Sequence, residues 1–119
     1  MATILVVDDD PDVRTLLETC LSLAGFDVRT ASNGSDALMR LHDSSPFLIL
    51  LDLMMPVMDG VEFRRRQCAQ PRYRDIPVVC LSARHDAGKT ATSLGLAGFF
   101  GKPFDLEALL AAVREYCPA

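Results

Sequence analysis

Acidic side chains end two short apolar runs of this chain. The run Ile4–Val7 is followed by Asp8–Asp10, and the run Phe47–Leu51 is followed by Asp52. An uninterrupted apolar run of this length is typical of a strand that is buried on both faces of a parallel sheet. Carboxylates at the C-terminal ends of two such strands lie where open α/β sheets bind their ligands.

The acids are predicted to form a cation site. If the two strands are parallel neighbours, the carboxylates of Asp8, Asp9 and Asp52 converge, and carboxylates packed that closely repel one another unless a cation lies among them. Oxygen ligands with no nearby His or Cys favour Mg2+ over Ca2+ or Zn2+. Asp10 has a simpler role, because an acid followed by Pro11 is an ordinary helix N-cap.

Two further polar residues end predicted strands at the same edge. Ser82 follows the apolar run Ile76–Leu81, and Lys102 follows Gly98–Gly101. Taken alone, Ser82 reads as a helix N-cap and Lys102 as a solvated loop lysine. Beside the acids and a metal, however, a hydroxyl and a fixed cation are groups that bind the oxygens of a phosphoryl group.

Strand and helix patterns alternate along the chain. Strands are predicted over Thr3–Val7, Phe26–Ala31, Phe47–Leu51, Ile76–Leu81 and Gly98–Gly101. The first three helices are predicted over 11–24, from the turn at 32–35 to residue 41, and over 61–69. The fourth covers about a dozen residues up to 94, and the fifth follows the N-cap Asp105. In the third helix, Gln67 stands where an apolar residue is expected and weakens the inner face. The second strand alternates in the manner of an edge strand.

Five strands alternating with five helices predict an α/β fold with right-handed crossovers. We expect a doubly wound, flavodoxin-like parallel sheet with strand order 2-1-3-4-5, filling residues 1–119 as one domain. In that order the first and third strands are neighbours at the switch point. The acids therefore meet in the binding crevice.

Composition excludes several classes of function. A net charge of −4 argues against nucleic acid as the main partner. The arginines between 64 and 74 are expected to be a solvated helix face and loop. Four cysteines without metal-ligand spacing, no signal peptide and no membrane-spanning run predict a reduced, cytoplasmic protein that does not insert into membranes.

Four ordered motifs give the chain a family resemblance over its whole length. They are Val6–Asp9, Asp52–Gly60, Leu81–Ala83 and Lys102–Phe104. With these motifs the sequence resembles the receiver domains of two-component response regulators, in the stand-alone form typified by the chemotaxis response regulator.

The resemblance implies a role for each site residue. Asp52 would accept a phosphoryl group from a histidine kinase, a histidine phosphotransfer protein or a small phosphodonor. Asp9 and Asp52 would ligate Mg2+ with the backbone carbonyl of Met54, and Asp8 would act through water. Lys102 would contact the phosphoryl group, Ser82 would turn inward to bind it, and the Lys102–Pro103 bond would be cis.

Signal output would use the surface of the fourth helix, fifth strand and fifth helix to bind a downstream protein. The resemblance also implies that an inward turn of Ser82 would open space for Phe99, which either moves as a switch residue or is a fixed core phenylalanine. The resemblance implies that Met54 and Arg84 occupy positions that tune dephosphorylation in the family, and their side chains predict slow autodephosphorylation. The fourth helix has low helix propensity, so we expect it to be the least protected element of the fold in amide exchange.

Other functions stay open at this point. An aspartate-nucleophile phosphatase or phosphotransferase needs a general acid two residues after the nucleophile, where this chain has Met54. A pseudo-receiver would bind partners without being phosphorylated, and the intact set of Asp8, Asp9, Ser82 and Lys102 argues against it. The chain is expected to catalyse only its own phosphorylation and dephosphorylation rather than to act as an enzyme. It is either a stand-alone regulator or a receiver from a longer protein.

Overall fold

Five strands and five helices alternate in the computed structural model, which describes residues 2–53, 58–83 and 87–118. The strands are β1 Thr3–Val7, β2 Asp27–Ala31, β3 Leu48–Asp52, β4 Val78–Ser82 and β5 Gly98–Gly101. The helices are α1 Pro11–Leu23, α2 Gly34–Asp43, α3 Gly60–Cys68, α4 Ala87–Ser93 and α5 Leu106–Tyr116. None of the helices in these ranges is long and apolar enough to cross a bilayer.

The strands form one parallel sheet in the order β2-β1-β3-β4-β5, which confirms the predicted fold class. The register brings the carboxyl ends of the inner strands level. Val7 is the partner of Leu51, Asp52 of Leu81, and Ser82 of Gly101. The residues that follow β1, β3, β4 and β5 therefore meet at one edge.

Alternating side chains of the sheet form two cores. One core contains Leu5, Val7, Ile49 and Leu51 and is covered by α2, α3 and α4. The other contains Ile4, Val6, Leu48 and Leu50 and is covered by α1 and α5. Every residue of β3 and β4 is buried, whereas β2 is largely half-exposed as expected for an edge strand.

Several element boundaries differ from the sequence prediction by one or two residues. The second strand begins after Phe26, whose ring packs against that of Phe47 at 5.8 Å between centroids. The fourth strand begins at Val78 rather than Ile76, because the Ile76 amide donates to the carbonyl of Tyr73 in the preceding turn. The interiors of the five strands and of α1, α2, α3 and α5 agree with the prediction. The fourth helix is described over Ala87–Ser93, and residues 84–86 of its predicted range lie outside the described residues.

Helix α1 has more apolar residues than its buried face accommodates. Only Leu17 and Leu21 are fully buried within the helix, while Leu16 is 47% and Leu23 83% exposed. Cys20 of α1 is half-buried, whereas Cys80 of β4 is buried. A helix presents one stripe to the sheet, so apolar residues that fall outside the stripe lie at the surface.

Gln67 corrects the expectation of a weak inner face in α3. Its side chain is fully buried, and its amide nitrogen donates to the carbonyls of Tyr73 (2.9 Å) and Ile76 (3.1 Å). Its side-chain oxygen accepts from a guanidinium nitrogen of Arg64 (2.8 Å). A buried amide with all these bonds ties the end of α3 to the loop that leads into β4.

We expect Gln67→Met to lower the free energy of unfolding by about 1–3 kcal/mol, because the two carbonyls lose their buried donor. The matched control is Gln70→Met, three residues along at an exposed position, which should change stability by less than about 0.5 kcal/mol. Urea unfolding of both variants measures the difference. Equal stability of the two variants would contradict the structural role of Gln67.

Candidate metal and phosphoryl site

Three carboxylates converge at the C-terminal edge of the sheet. Asp8 and Asp9 follow β1, Asp52 ends the neighbouring β3, and one oxygen of each lies within 4.8 Å of the others. Asp8 is fully buried, Asp52 is 5% exposed, and Asp9 is open to solvent. This set of oxygens could hold a metal ion that enters from the side of Asp9.

Asp8 is held by bonds on both of its oxygens. Oδ1 accepts from the backbone amide of Asp10 (2.9 Å), and Oδ2 accepts from Nζ of Lys102 (2.7 Å). The same Nζ lies 3.6 Å from Oδ2 of Asp52. Lys102 thus balances part of the negative charge, and the cluster retains a net negative charge that favours a cation.

Lys102 is a partly buried cation with a perturbed pKa. Burial alone would lower the pKa, but the hydrogen bond and charge of Asp8, followed by the charge of Asp52, outweigh burial and raise it. Because the pKa is raised, Lys102 is fully protonated at neutral pH. Its attraction to Asp8 and Asp52 is therefore fully present there and is lost only as the pH rises through the pKa of the folded state. The lysine is therefore a fixed positive charge at physiological pH.

Lys102 lies beside the acids, and Ser82 ends β4, the strand next to β3. Ser82 ends β4 and is 1% exposed, and its carbonyl accepts from the backbone amide of Lys102 (2.9 Å). The Lys102–Pro103 peptide bond is cis, as the family resemblance implied. A cation thus lies beside the Asp52 carboxylate, and a buried serine ends the neighbouring strand β4.

Two glycines let the backbone approach the site closely. A Cβ at Gly60 would lie 2.7 Å from the carbonyl oxygen of Asp52, and the Gly60 amide donates to the carbonyl of Leu53 (3.0 Å). A Cβ at Gly34 would lie 2.8 Å from Met58, whose carbonyl accepts from the Gly34 amide (3.0 Å). Helices α2 and α3 therefore both begin against the chain that follows Asp52.

Arg14 was missed by the sequence reasoning. Its guanidinium donates to the backbone carbonyl of Asp8 at 2.7 Å, which adds a second positive charge beside the acids. Its place in the first turns of α1, one turn after the N-cap Asp10, is the only sequence signal for this contact.

Arg64 likewise differs from the expected solvated face, since it donates to the carbonyls of Leu94 (3.2 Å) and Gly95 (3.2 Å) at the end of α4.

Phe99 is a surface residue of β5 rather than a core phenylalanine. Its side chain is 39% exposed, and its ring lies beside Gly88 of α4. Met54 is the predicted carbonyl ligand of the metal, and Met54 and Arg84 are the two residues predicted to tune dephosphorylation. Both lie outside the described residues.

The family model for the response regulator receiver domain matches residues 4–114. The chain belongs to this family. It is 39% identical over 114 residues to the transcriptional regulatory protein GltR of Pseudomonas aeruginosa, with 94% of this chain and 47% of that protein covered. It is 42% identical to the transcriptional regulatory protein PrrA of Mycobacterium tuberculosis, with 93% and 48% covered. The chain thus spans about half the length of these curated relatives.

Solved receiver structures share the whole fold. The chemotaxis protein CheY4 of Vibrio cholerae has a TM-score of 0.89 at 31% identity and covers 98% of this chain and 99% of its own. The response regulator TrrA of Thermotoga maritima, solved with Mg2+ and a beryllium fluoride, has a TM-score of 0.87 at 29% identity, with 98% and 100% covered. The chain is accordingly a receiver domain of a two-component response regulator.

We expect Gly60→Ala to lower the free energy of unfolding by about 1–3 kcal/mol, because backbone atoms at 2.7 Å must move to admit the Cβ. The control is Gly88→Ala, where the nearest atom would lie 3.8 Å away. That change should be neutral or stabilising by up to about 1 kcal/mol, since Ala favours a helix. Urea unfolding, together with amide chemical shifts around Asp52, measures both effects. Similar stability and shifts in the two variants would contradict the close approach.

Proposed function

We propose that this receiver domain is a switch in a two-component phosphorelay and that Asp52 is its phosphoacceptor. The observation that carries the proposal is the position of Asp52 at the end of β3, between an acid cluster and Nζ of Lys102 at 3.6 Å. The phosphodonor would be a histidine kinase or a histidine phosphotransfer protein.

The donor set fits a hard divalent cation. Asp9 and Asp52 would ligate Mg2+ directly and Asp8 through water, while the Met54 carbonyl is the further ligand that the family pattern implies. Oxygen ligands with an open, solvent-facing side suit Mg2+, which keeps several waters. When bound, the ion neutralises charge on phosphoryl oxygens. The solved receiver with Mg2+ and a beryllium fluoride supports this assignment by similarity.

The transfer step uses the Asp52 carboxylate as nucleophile. Its oxygen forms a bond to phosphorus while the bond from phosphorus to the histidine nitrogen breaks, and the departing imidazole takes a proton from solvent. Lys102 already lies within reach of Asp52, so its Nζ can move from Asp8 to a phosphoryl oxygen by a small displacement. The Ser82 hydroxyl would donate a second hydrogen bond to that group.

Output would use α4, β5 and α5. A surface depression of about 620 Å3 lies between α4 and β5, with Lys89, Thr92 and Phe99 in its lining. Phe99 is exposed, so a change in its ring position would alter this surface directly. The absence of a hydroxyl on Phe99 leaves its contribution to a downstream protein apolar.

Two alternatives have weaker support. A phosphatase or phosphotransferase acting on external substrates lacks the general acid at position 54. A pseudo-receiver would not need the Lys102 contact with both acids. We therefore propose that the chain catalyses only its own phosphorylation and dephosphorylation.

The protein phosphodonor would dock on α1 and the loop after β5. An apolar hollow of about 230 Å3 lies beside Lys102, lined by Val13, Leu16, Pro103 and Phe104. Leu16 is 47% exposed there. A donor histidine must approach Asp52 over this edge, and an apolar surface next to the site would hold the donor domain.

Acetyl phosphate with Mg2+ should add one phosphoryl group to the wild-type chain and none to Asp52→Asn, since the amide is not a nucleophile for this transfer. The control Asp12→Asn removes the same charge at an exposed position of α1 and should be phosphorylated as the wild type. Intact mass spectrometry, with and without a chelator, gives the readout. A phosphorylated Asp52→Asn protein, or labelling that is indifferent to Mg2+, would overturn the assignment.

Loss of the phosphoryl group from the wild-type chain within seconds after removal of the donor would contradict slow autodephosphorylation.

Leu16→Asp should slow transfer from a phosphorylated histidine phosphotransfer protein by roughly tenfold in kcat/KM, because a charge replaces an apolar contact. Labelling by acetyl phosphate should not change. Leu23→Asp places the same charge on α1 at an 83% exposed position and is the control. Rapid-quench transfer assays compare the three proteins. Equal slowing by both substitutions would exclude this docking surface.

A further inference from the structure

A groove runs between α2 and α3, on the face of the sheet opposite α1 and α5. Its volume is about 710 Å3, and its apolar lining is formed by Leu38, Ala69 and Tyr73. Three basic side chains edge it, namely His42, Arg66 and Arg72. It contains no residue of the phosphorylation site or of the α4–β5–α5 surface.

Over the part of the chain that the structure describes, the lining of the groove includes two arginines and no carboxylate, whereas the chain carries −4 overall. Arg66 pairs with Glu62 at 3.2 Å. Arg72 lies over the ring of Tyr73 at 5.4 Å and, among the described residues, has no carboxylate within ion-pairing distance. An arginine stacked on an aromatic ring keeps its N–H groups available for a carboxylate.

The loop that carries Arg72 is fixed in place. Gln67, which is fully buried, donates to the carbonyl of Tyr73 at 2.9 Å, and the Tyr73 amide donates to the carbonyl of Gln70 at 3.0 Å. The aromatic ring and the guanidinium are thus presented by an ordered turn. Because the loop is already ordered, a ligand that binds there loses little free energy to ordering it.

The groove continues along α2. A second depression of about 300 Å3 shares Leu38 and His42 with it and extends to Met39 and Asp43. Met39 is 64% exposed, so an apolar strip leads away from the basic edge. A surface of this shape suits an elongated segment better than a small compact ligand, with its acidic part over Arg72 and away from Asp43.

We propose that the α2–α3 groove binds an acidic, partly apolar segment of a partner protein. Carboxylates of the segment pair with Arg72 and Arg66, and apolar side chains lie on Leu38, Met39 and Tyr73. This interaction surface is separate from the donor and output surfaces of the proposed function. Its test does not require phosphorylation.

The probe is a short fluorescein-labelled peptide of alternating Glu and Leu, with a counterpart that has Lys in place of Glu. The acidic peptide should bind saturably in an anisotropy titration, more weakly as salt rises. Its amide shift changes should map to 38–43 and 66–73. Arg72→Glu should weaken binding by about fivefold or more, since an attractive charge pair becomes a repulsive one.

The matched control is Arg74→Glu, in the same loop with the same charge change, at an exposed residue outside the groove lining. Met39→Asp tests the apolar strip at an exposed position. Absence of binding, equal binding of the lysine peptide, or equal loss in Arg72→Glu and Arg74→Glu would overturn the proposal. A concentration-dependent dimer in sedimentation that Arg72→Glu abolishes would assign the groove to a second copy of this chain instead.

Discussion

The contact between Lys102 and Asp8 links the residue after β5 to the residue after β1, across the edge of the sheet on which the site is built. Nζ lies 2.7 Å from Asp8 and 3.6 Å from Asp52, so one cation compensates two buried acids. Buried charges persist only when they are paired or ligate an ion. Without this lysine, two carboxylates at the carboxyl ends of neighbouring strands would each oppose the packing of β1 against β3. The same contact links residues 94 positions apart in sequence.

The loop after Asp52 imposes the second constraint. Gly60 allows the start of α3 to lie against the backbone of Asp52, and Gly34 allows the start of α2 to donate to Met58. A side chain at either position would push a helix away from the site. The two helices that border the α2–α3 groove are therefore attached at their N-termini to the chain that follows Asp52. Packing of the core that α2 and α3 cover therefore depends on the same loop as the candidate site.

Patterns of apolar residues predicted the sheet order and the convergence of Asp8, Asp9 and Asp52, because strand burial and chain order are local signals. They could not predict the contacts that depend on side-chain reach. The polar side chain of Gln67 predicts a weak inner face for α3, yet its two carbonyl acceptors lie in a loop whose path the sequence does not reveal. Arg14 and Arg64 were missed for the same reason, since each donates to backbone carbonyls that carry no sequence signature.

Arg64 also bears on how the fourth helix is held. The helix has hydroxyl side chains that bond its own carbonyls, as Thr92 does with Gly88 at 3.0 Å, and such bonds do not anchor it to the core. Only Ala91 within α4 is buried among its described side chains. The carbonyls of Leu94 and Gly95, just past its end, accept from Arg64 of α3. Part of the anchoring of α4 therefore comes from a helix that starts beside Asp52, so the Arg64 guanidinium links the start of α3 to the α4–β5 surface in addition to the packing of α4 on the sheet.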